Sequence, residues 1–148
     1  MKKIFILFVI LIIPHCGFSP LYQSNEINYQ ININKIEGDK LINSKIKSEI
    51  ERVSDKNVQK IFNIQINTKY EKIIAAKSSK GSITDYLLIA TGTFIIYNNE
   101  KTETIVFQEK QNVKNNSDFV EQRNYENTVK KNFATSFVKK LNLDLLSK

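Results

Sequence analysis

The chain has 148 residues, 41% of them hydrophobic and 25% charged, and its 22 Lys and Arg against 15 Asp and Glu leave it formally at +7. That length suffices for one hydrophobic core and falls short of two. With a single cysteine and a single histidine, it has no intrachain disulfide and no paired-histidine metal motif.

The first element in the chain is a leader. Lys2 and Lys3 precede the apolar run from Ile4 to Ile13, in the pattern of a positive n-region and an h-region. The run is well short of the roughly 20 residues a helix needs to cross the hydrocarbon core, so removal is expected rather than retention. Cys16 sits where cleavage would fall. Its thiol would be acylated and would become the first residue of a lipid-anchored mature chain. The expected division is a lipoprotein signal peptide over 1–15, a lipidated tether over 16–26 and a single α/β domain over 27–148. His15 stands where lipoprotein signals usually carry Gly, Ala or Ser, which bears on how efficiently the signal is processed. Export would remove Lys2 and Lys3 and reduce the positive charge. A basic balance suits nucleic acid, an anionic membrane surface or an acidic ligand. An exported protein meets little nucleic acid, so none is expected as a partner, and lipid phosphates are the more accessible anions.

The residues Cys16-Gly17-Phe18-Ser19-Pro20-Leu21-Tyr22 resemble the Cys-Gly-Phe-x-Pro-Leu-Tyr opening of the LPS-assembly lipoprotein family, LptE (also RlpB), of Gram-negative outer membranes. The resemblance implies a non-enzymatic lipoprotein without a cofactor. It would be anchored in the outer membrane, facing the periplasm and a barrel lumen. Such proteins plug an LptD-like β-barrel and help to insert lipopolysaccharide into the outer leaflet. Gly17 after the cysteine is compatible with forwarding to the outer membrane.

Downstream, Ile27, Tyr29, Ile31 and Ile33 alternate with polar residues, the period of a half-buried strand. Gly38 breaks the strand and Asp39 can cap a helix. Ile42, Ile46, Ile50 and Val53 then recur at helical spacing, leaving Lys45, Lys47, Glu49 and Arg52 for the solvated sides. From Gln59 the period returns to two, with Phe62, Ile64, Ile66, Thr68 and Tyr70 on one face. The stretch from Ala76 to Ser82 is small and polar, a hairpin loop. Tyr86 to Tyr97 is apolar on both faces, as in a strand buried on both sides. A turn at Asn98-Asn99-Glu100-Lys101 leads to a fourth strand, Thr102 to Val113. Asp118 and Glu121 resemble a capping box ahead of a long helix with Val129, Phe133, Ala134, Phe137, Val138, Leu141 and Leu145 on one side. Lys130 falls inside that stripe and would snorkel outwards. The order is β-α-β-β-β-α, an α+β two-layer sandwich with two helices on one face of a four-stranded, mostly antiparallel sheet. The LptE resemblance implies the same arrangement.

Catalysis needs a base near the operating pH or a nucleophile held beside one. Here the histidine leaves with the signal, the cysteine is lipidated, and the carboxylates are scattered along the chain. No enzyme, metal or cofactor is expected. Two surfaces are candidates for binding. Lys77 and Lys80, among Ser78, Ser79 and Ser82, crowd a hairpin loop where cations and backbone could meet the phosphates of lipopolysaccharide. The helix-free sheet face would present an apolar row, either Leu87, Ile89, Ile95 and Tyr97 or Tyr86, Leu88, Phe94 and Ile96. A soluble monomer seldom leaves such a row bare, so a partner is expected there. The alternative to the barrel-partner reading is a lipid-anchored carrier or chaperone that shields an apolar ligand in its own cavity.

Overall fold

The computed structural model describes residues 29–54, 58, 60–98 and 101–148. The expected signal peptide, Cys16, the tether and part of the Asn98-to-Lys101 turn lie outside these residues. The elements are β1 (Gln30–Gly38), α1 (Lys40–Val53), β2 (Ile61–Lys77), β3 (Ile83–Asn98), β4 (Lys101–Lys114) and α2 (Phe119–Leu146). They form one sheet in the order β1-β2-β3-β4. β1 runs parallel to β2, joined by the α1 crossover, while β2–β3 and β3–β4 are antiparallel. This is the two-layer β-α-β-β-β-α arrangement expected from the periodicity.

Period-two alternation makes one side of the sheet the core. Phe62, Ile64 and Ile66 of β2 and Leu88, Ala90, Phe94 and Ile96 of β3 are all buried, and both helices lie against that side. From α1 come Ile42, Ile46 and Ile50, and from α2 come Val129, Phe133, Ala134, Phe137, Val138, Leu141 and Leu145. Burying each large side chain contributes about 1.5–3 kcal/mol. The aromatic rings of Phe94, Phe107 and Phe137 meet at 5.6–6.5 Å between centroids. Gly92 makes room for them, since a Cβ there would sit 3.0 Å from the Phe137 ring.

Asp39 caps α1: its Oδ1 accepts from the backbone N–H groups of Leu41 and Ile42, both at 3.0 Å. Gly38 precedes it at φ 108°, and a Cβ there would lie 1.8 Å from the Thr68 carbonyl oxygen. Only glycine fits where β1 closes onto β2. Buried Thr68 is satisfied as well, accepting from the Asp39 N–H and donating to Asn43 Oδ1 at 2.7 Å.

β1 ends at Gly38, as expected, after an irregularity between Ile33 and Lys35 that brings Ile36 beside Ile66. Three local expectations are corrected. Glu49 is only 8% exposed, because Lys45 and Arg52 both reach its carboxylate. The capping box is incomplete: Asp118 accepts from Val120 and Glu121 N–H, but its own N–H donates to Asn116 Oδ1, and Glu121 instead accepts from the Asn116 amide. Finally, β3 is buried on its helix side alone, and its other row is half-buried.

Candidate functional site

The register decides which residues of β3 face away from the helices. Leu88, Phe94 and Ile96 are buried beneath them, and Tyr86 packs against that core. The open row is therefore Leu87, Ile89, Ile95 and Tyr97. Across it, β2 sets Ile73 beside Leu87, Glu71 beside Ile89, Gln65 beside Ile95 and Asn63 beside Tyr97. β4 sets Asn112, Lys110, Thr104 and Thr102 on the other flank. Two short apolar patches, Leu87 with Ile89 and Ile95 with Tyr97, thus lie on a sheet face where Thr91 and Thr93 separate them and the margins carry amides, hydroxyls and charges. Ile73 and Val106, 47% and 59% exposed, widen them. Amphipathic faces of this kind suit a partner that brings both apolar and hydrogen-bonding groups.

The hairpin loop stands at the opposite end of the sheet from the start of β1. β2 has 17 residues and reaches roughly 50 Å at ~3.3 Å per residue. β1 accompanies it only as far as Thr68, so the remainder of β2 extends beyond β1 and α1. Lys77 and Lys80 are exposed at the tip. Between them the loop closes on itself: Ser78 N–H donates to the Ser82 carbonyl at 2.8 Å and Gly81 N–H to the Ser78 carbonyl at 2.9 Å. Gly81, at φ 82°, takes the left-handed conformation that this closure needs. A groove of ≈ 320 Å³ between β3 and the start of α2 is lined by Lys72, Tyr86, Gln122, Arg123 and Glu126 among others. Neither Lys77 nor Lys80 is among its walls.

A polar layer behind this groove escaped sequence reasoning. Lys130 does not snorkel to solvent. Its Nζ donates to Asp39 Oδ2 at 2.7 Å and lies 3.9 Å from the centre of the Tyr70 ring. Lys72 pairs with Glu126, which also accepts from Gln122 at 3.0 Å. Burial pushes the Asp39 carboxyl up, but the Lys130 hydrogen bond and charge, with the two backbone donors, hold it below its ordinary value. Glu126 is lowered in the same way: burial raises it, and Lys72, Gln122 and Lys130 outweigh that. Tyr70 goes the other way, pushed up to about 12 by burial and then by the charges of Glu126 and Asp39. A lysine at a core-facing helical position, with an N-cap aspartate on another helix, was the available signal. Nothing local tied residue 39 to residue 130.

These ion pairs are mutually neutralising and offer no nucleophile. Among the described residues no group of three His, Cys, Asp or Glu side chains could hold a metal. No helix among them is long and apolar enough to cross a membrane.

No family model matches the chain, and no curated protein matches it by sequence. Solved structures do. The crystal structure of rare lipoprotein B from Shewanella oneidensis superposes with a TM-score of 0.58, covering 80% of this chain and 94% of that one at 11% identity. The chain has the rare lipoprotein B fold. A minor lipoprotein from Acinetobacter baumannii matches at TM-score 0.54, 14% identity, 80% of this chain and 95% of that one. An uncharacterized lipoprotein B from Nitrosomonas europaea gives 0.52, 14%, 80% and 84%. At such identities the rare lipoprotein B likeness is one of fold.

Proposed function

We propose that this chain is a non-enzymatic lipoprotein of the LptE type, anchored in the outer membrane through Cys16. There it plugs and stabilises an LptD-like β-barrel and assists the assembly of lipopolysaccharide in the outer leaflet. One coincidence carries the reading. A fold shared over 80% of the chain with rare lipoprotein B follows a Cys-Gly-Phe-Ser-Pro-Leu-Tyr segment placed where acylation is expected.

Two surfaces support it. The open face, with Leu87, Ile89, Ile95 and Tyr97 at its two apolar patches, suits a barrel wall, and the hairpin tip with Lys77 and Lys80 suits phosphorylated lipid. The space between helices and sheet is filled by Phe94, Phe137, Ile64, Leu88 and Leu141, all buried to within 2%. A carrier of an apolar ligand would need that space. The deciding experiment is to capture the tagged full-length protein from detergent-solubilised envelopes and identify what accompanies it by mass spectrometry. A large β-barrel protein at near-stoichiometric yield is expected. Recovery of the lipoprotein alone would overturn the barrel reading.

A further inference from the structure

Charge is distributed unevenly between the two layers. On the helix side of β4, Glu103 reaches Lys148 and Glu109 reaches Lys140, and the helices carry Lys40, Lys47, Lys131 and Lys139 exposed to solvent. The open side of the sheet differs. β2 contributes the amides of Asn63, Gln65 and Asn67, and β3 sets Tyr97, Ile95 and Thr93 beside them. β4 completes these rows with Thr102, Thr104 and Val106. The three rows hold no charge, in a chain that is formally +7. Where β1 borders them, Lys35 and Glu37 cancel each other at 3.0 Å. Toward the hairpin the next charges on β2, Lys69 and Glu71, cancel at 3.1 Å. Among the described residues, the side-chain hydrogen bonds between uncharged groups on this face are Gln108 to Thr91 at 3.4 Å and Gln30 to Asn32 at 2.9 Å. The amides and hydroxyls of the three rows are thus left to bond outward.

Each class of occupant meets such a face differently. An anionic bilayer surface or a cluster of phosphates is drawn to cations, and these rows have none. Hydrocarbon would take the amides and hydroxyls out of water and return no hydrogen bond, a cost repeated at every group. A glycan would satisfy the polar groups, but ligand sites are concave, and an open sheet face offers no cleft. A charged protein surface would bury its ions opposite neutral side chains, with their desolvation uncompensated. A protein wall whose facing side chains are themselves amides, hydroxyls and apolar groups answers every row. It gives partners to Asn63, Gln65, Asn67 and the threonines, and apolar contact to Ile95, Tyr97 and Val106.

We propose that the barrel wall against this face is uncharged, and that docking is carried by neutral hydrogen bonds and apolar contact with the cationic helix layer left outside it. The inference rests on the barrel reading and adds to it the docking face and the chemistry of the partner. It also separates two interactions of one protein by their response to salt: phosphate binding at Lys77 and Lys80 weakens as salt rises, and docking does not. The test captures the barrel from detergent-solubilised envelopes with the tagged full-length protein at about 0.15 M and about 1 M salt, where charges are screened within ~8 Å and ~3 Å. Wild type should bring down the barrel in equal yield at both. Asn63→Asp, which keeps the shape of the side chain, combined with Thr104→Glu should cut that yield at least tenfold without lowering the melting temperature. Thr104→Gln, as long as glutamate and uncharged, should retain it. Removing cations from the helix layer by Lys47→Gln, Lys131→Gln and Lys139→Gln together should also retain it. Capture lost at high salt overturns the proposal and leaves the barrel reading standing. So does full yield from the Asn63→Asp, Thr104→Glu protein, or loss of yield in either uncharged control. A wild type that brings down no barrel at either salt overturns the barrel reading itself, and this inference with it.

Discussion

Lys130 occupies a position where the apolar stripe of α2 calls for a hydrophobe, and the Asp39 carboxylate makes it tolerable. Asp39 serves both helices: one oxygen caps α1 and the other accepts from Lys130. Replacing Lys130 by methionine keeps the length of the side chain and removes the donor. Hydrogen bonds to charged groups contribute about 1.5–3 kcal/mol, so Lys130→Met should lower the unfolding free energy by that order in urea melts and raise the Asp39 pKa seen by NMR. At the hairpin tip the expectation is of the opposite kind. Lys77 and Lys80 are exposed, so replacing both by glutamate should leave the melting temperature within the range of ordinary surface changes, about ±0.5 kcal/mol. Lipopolysaccharide binding measured at low salt, where charge interactions are least screened, should weaken at least tenfold. Unchanged binding would return this loop to plain solvated surface.

Among the elements, α2 depends most on the sheet it covers. Phe137 is fully buried between Phe94 and Phe107, and truncation to alanine should cost about 3–5 kcal/mol. Phe133, 5% exposed, belongs to the same core and should fall in the same range or slightly below it. The contact is two-sided. Gly92→Ala puts a methyl group 3.0 Å from both the Phe137 and Phe94 rings, and overpacking of this kind costs about 1–3 kcal/mol. Combined with Phe137→Ala, the glycine substitution should lose the part of its cost that comes from the Phe137 ring, while the contact with Phe94 remains. A double-mutant cycle in denaturant reads that coupling.

For the whole molecule, pH acts through ion pairs within the helical layer and between it and the sheet. Asp39, Glu126 and Glu109 are raised by burial and lowered further by their lysine partners, while Glu49 is lowered chiefly by its hydrogen bonds from Lys45 and Arg52. Folded values below the unfolded ones mean stability that is complete above the usual carboxylate range, about 4, and is lost as pH falls through the depressed values. Thermal melts should therefore be flat toward neutrality and fall steeply below about pH 4. On the alkaline side, Tyr70 stays protonated to about 12 against an ordinary 10.0, so stability should decline as pH climbs through that interval.

What was legible in the sequence was what repeats. Alternation over β1 and β2 and the i, i+3, i+4 stripes of Ile42, Ile46 and Ile50 and of Val129, Phe133, Phe137 and Leu141 mark element type and core, because burial imposes a period on the chain, whereas β3, apolar on both faces, did not disclose which face is covered. Asp39 and Asp118 mark helix starts because N-capping is satisfied within three residues. Tertiary structure decided everything that depends on which distant residues meet. The row left open on β3, the Lys130–Asp39 bridge and the bare β2 edge beyond Thr68 all follow from register and layer order. Those are properties of pairs far apart in the chain, and local periodicity carries no information about them.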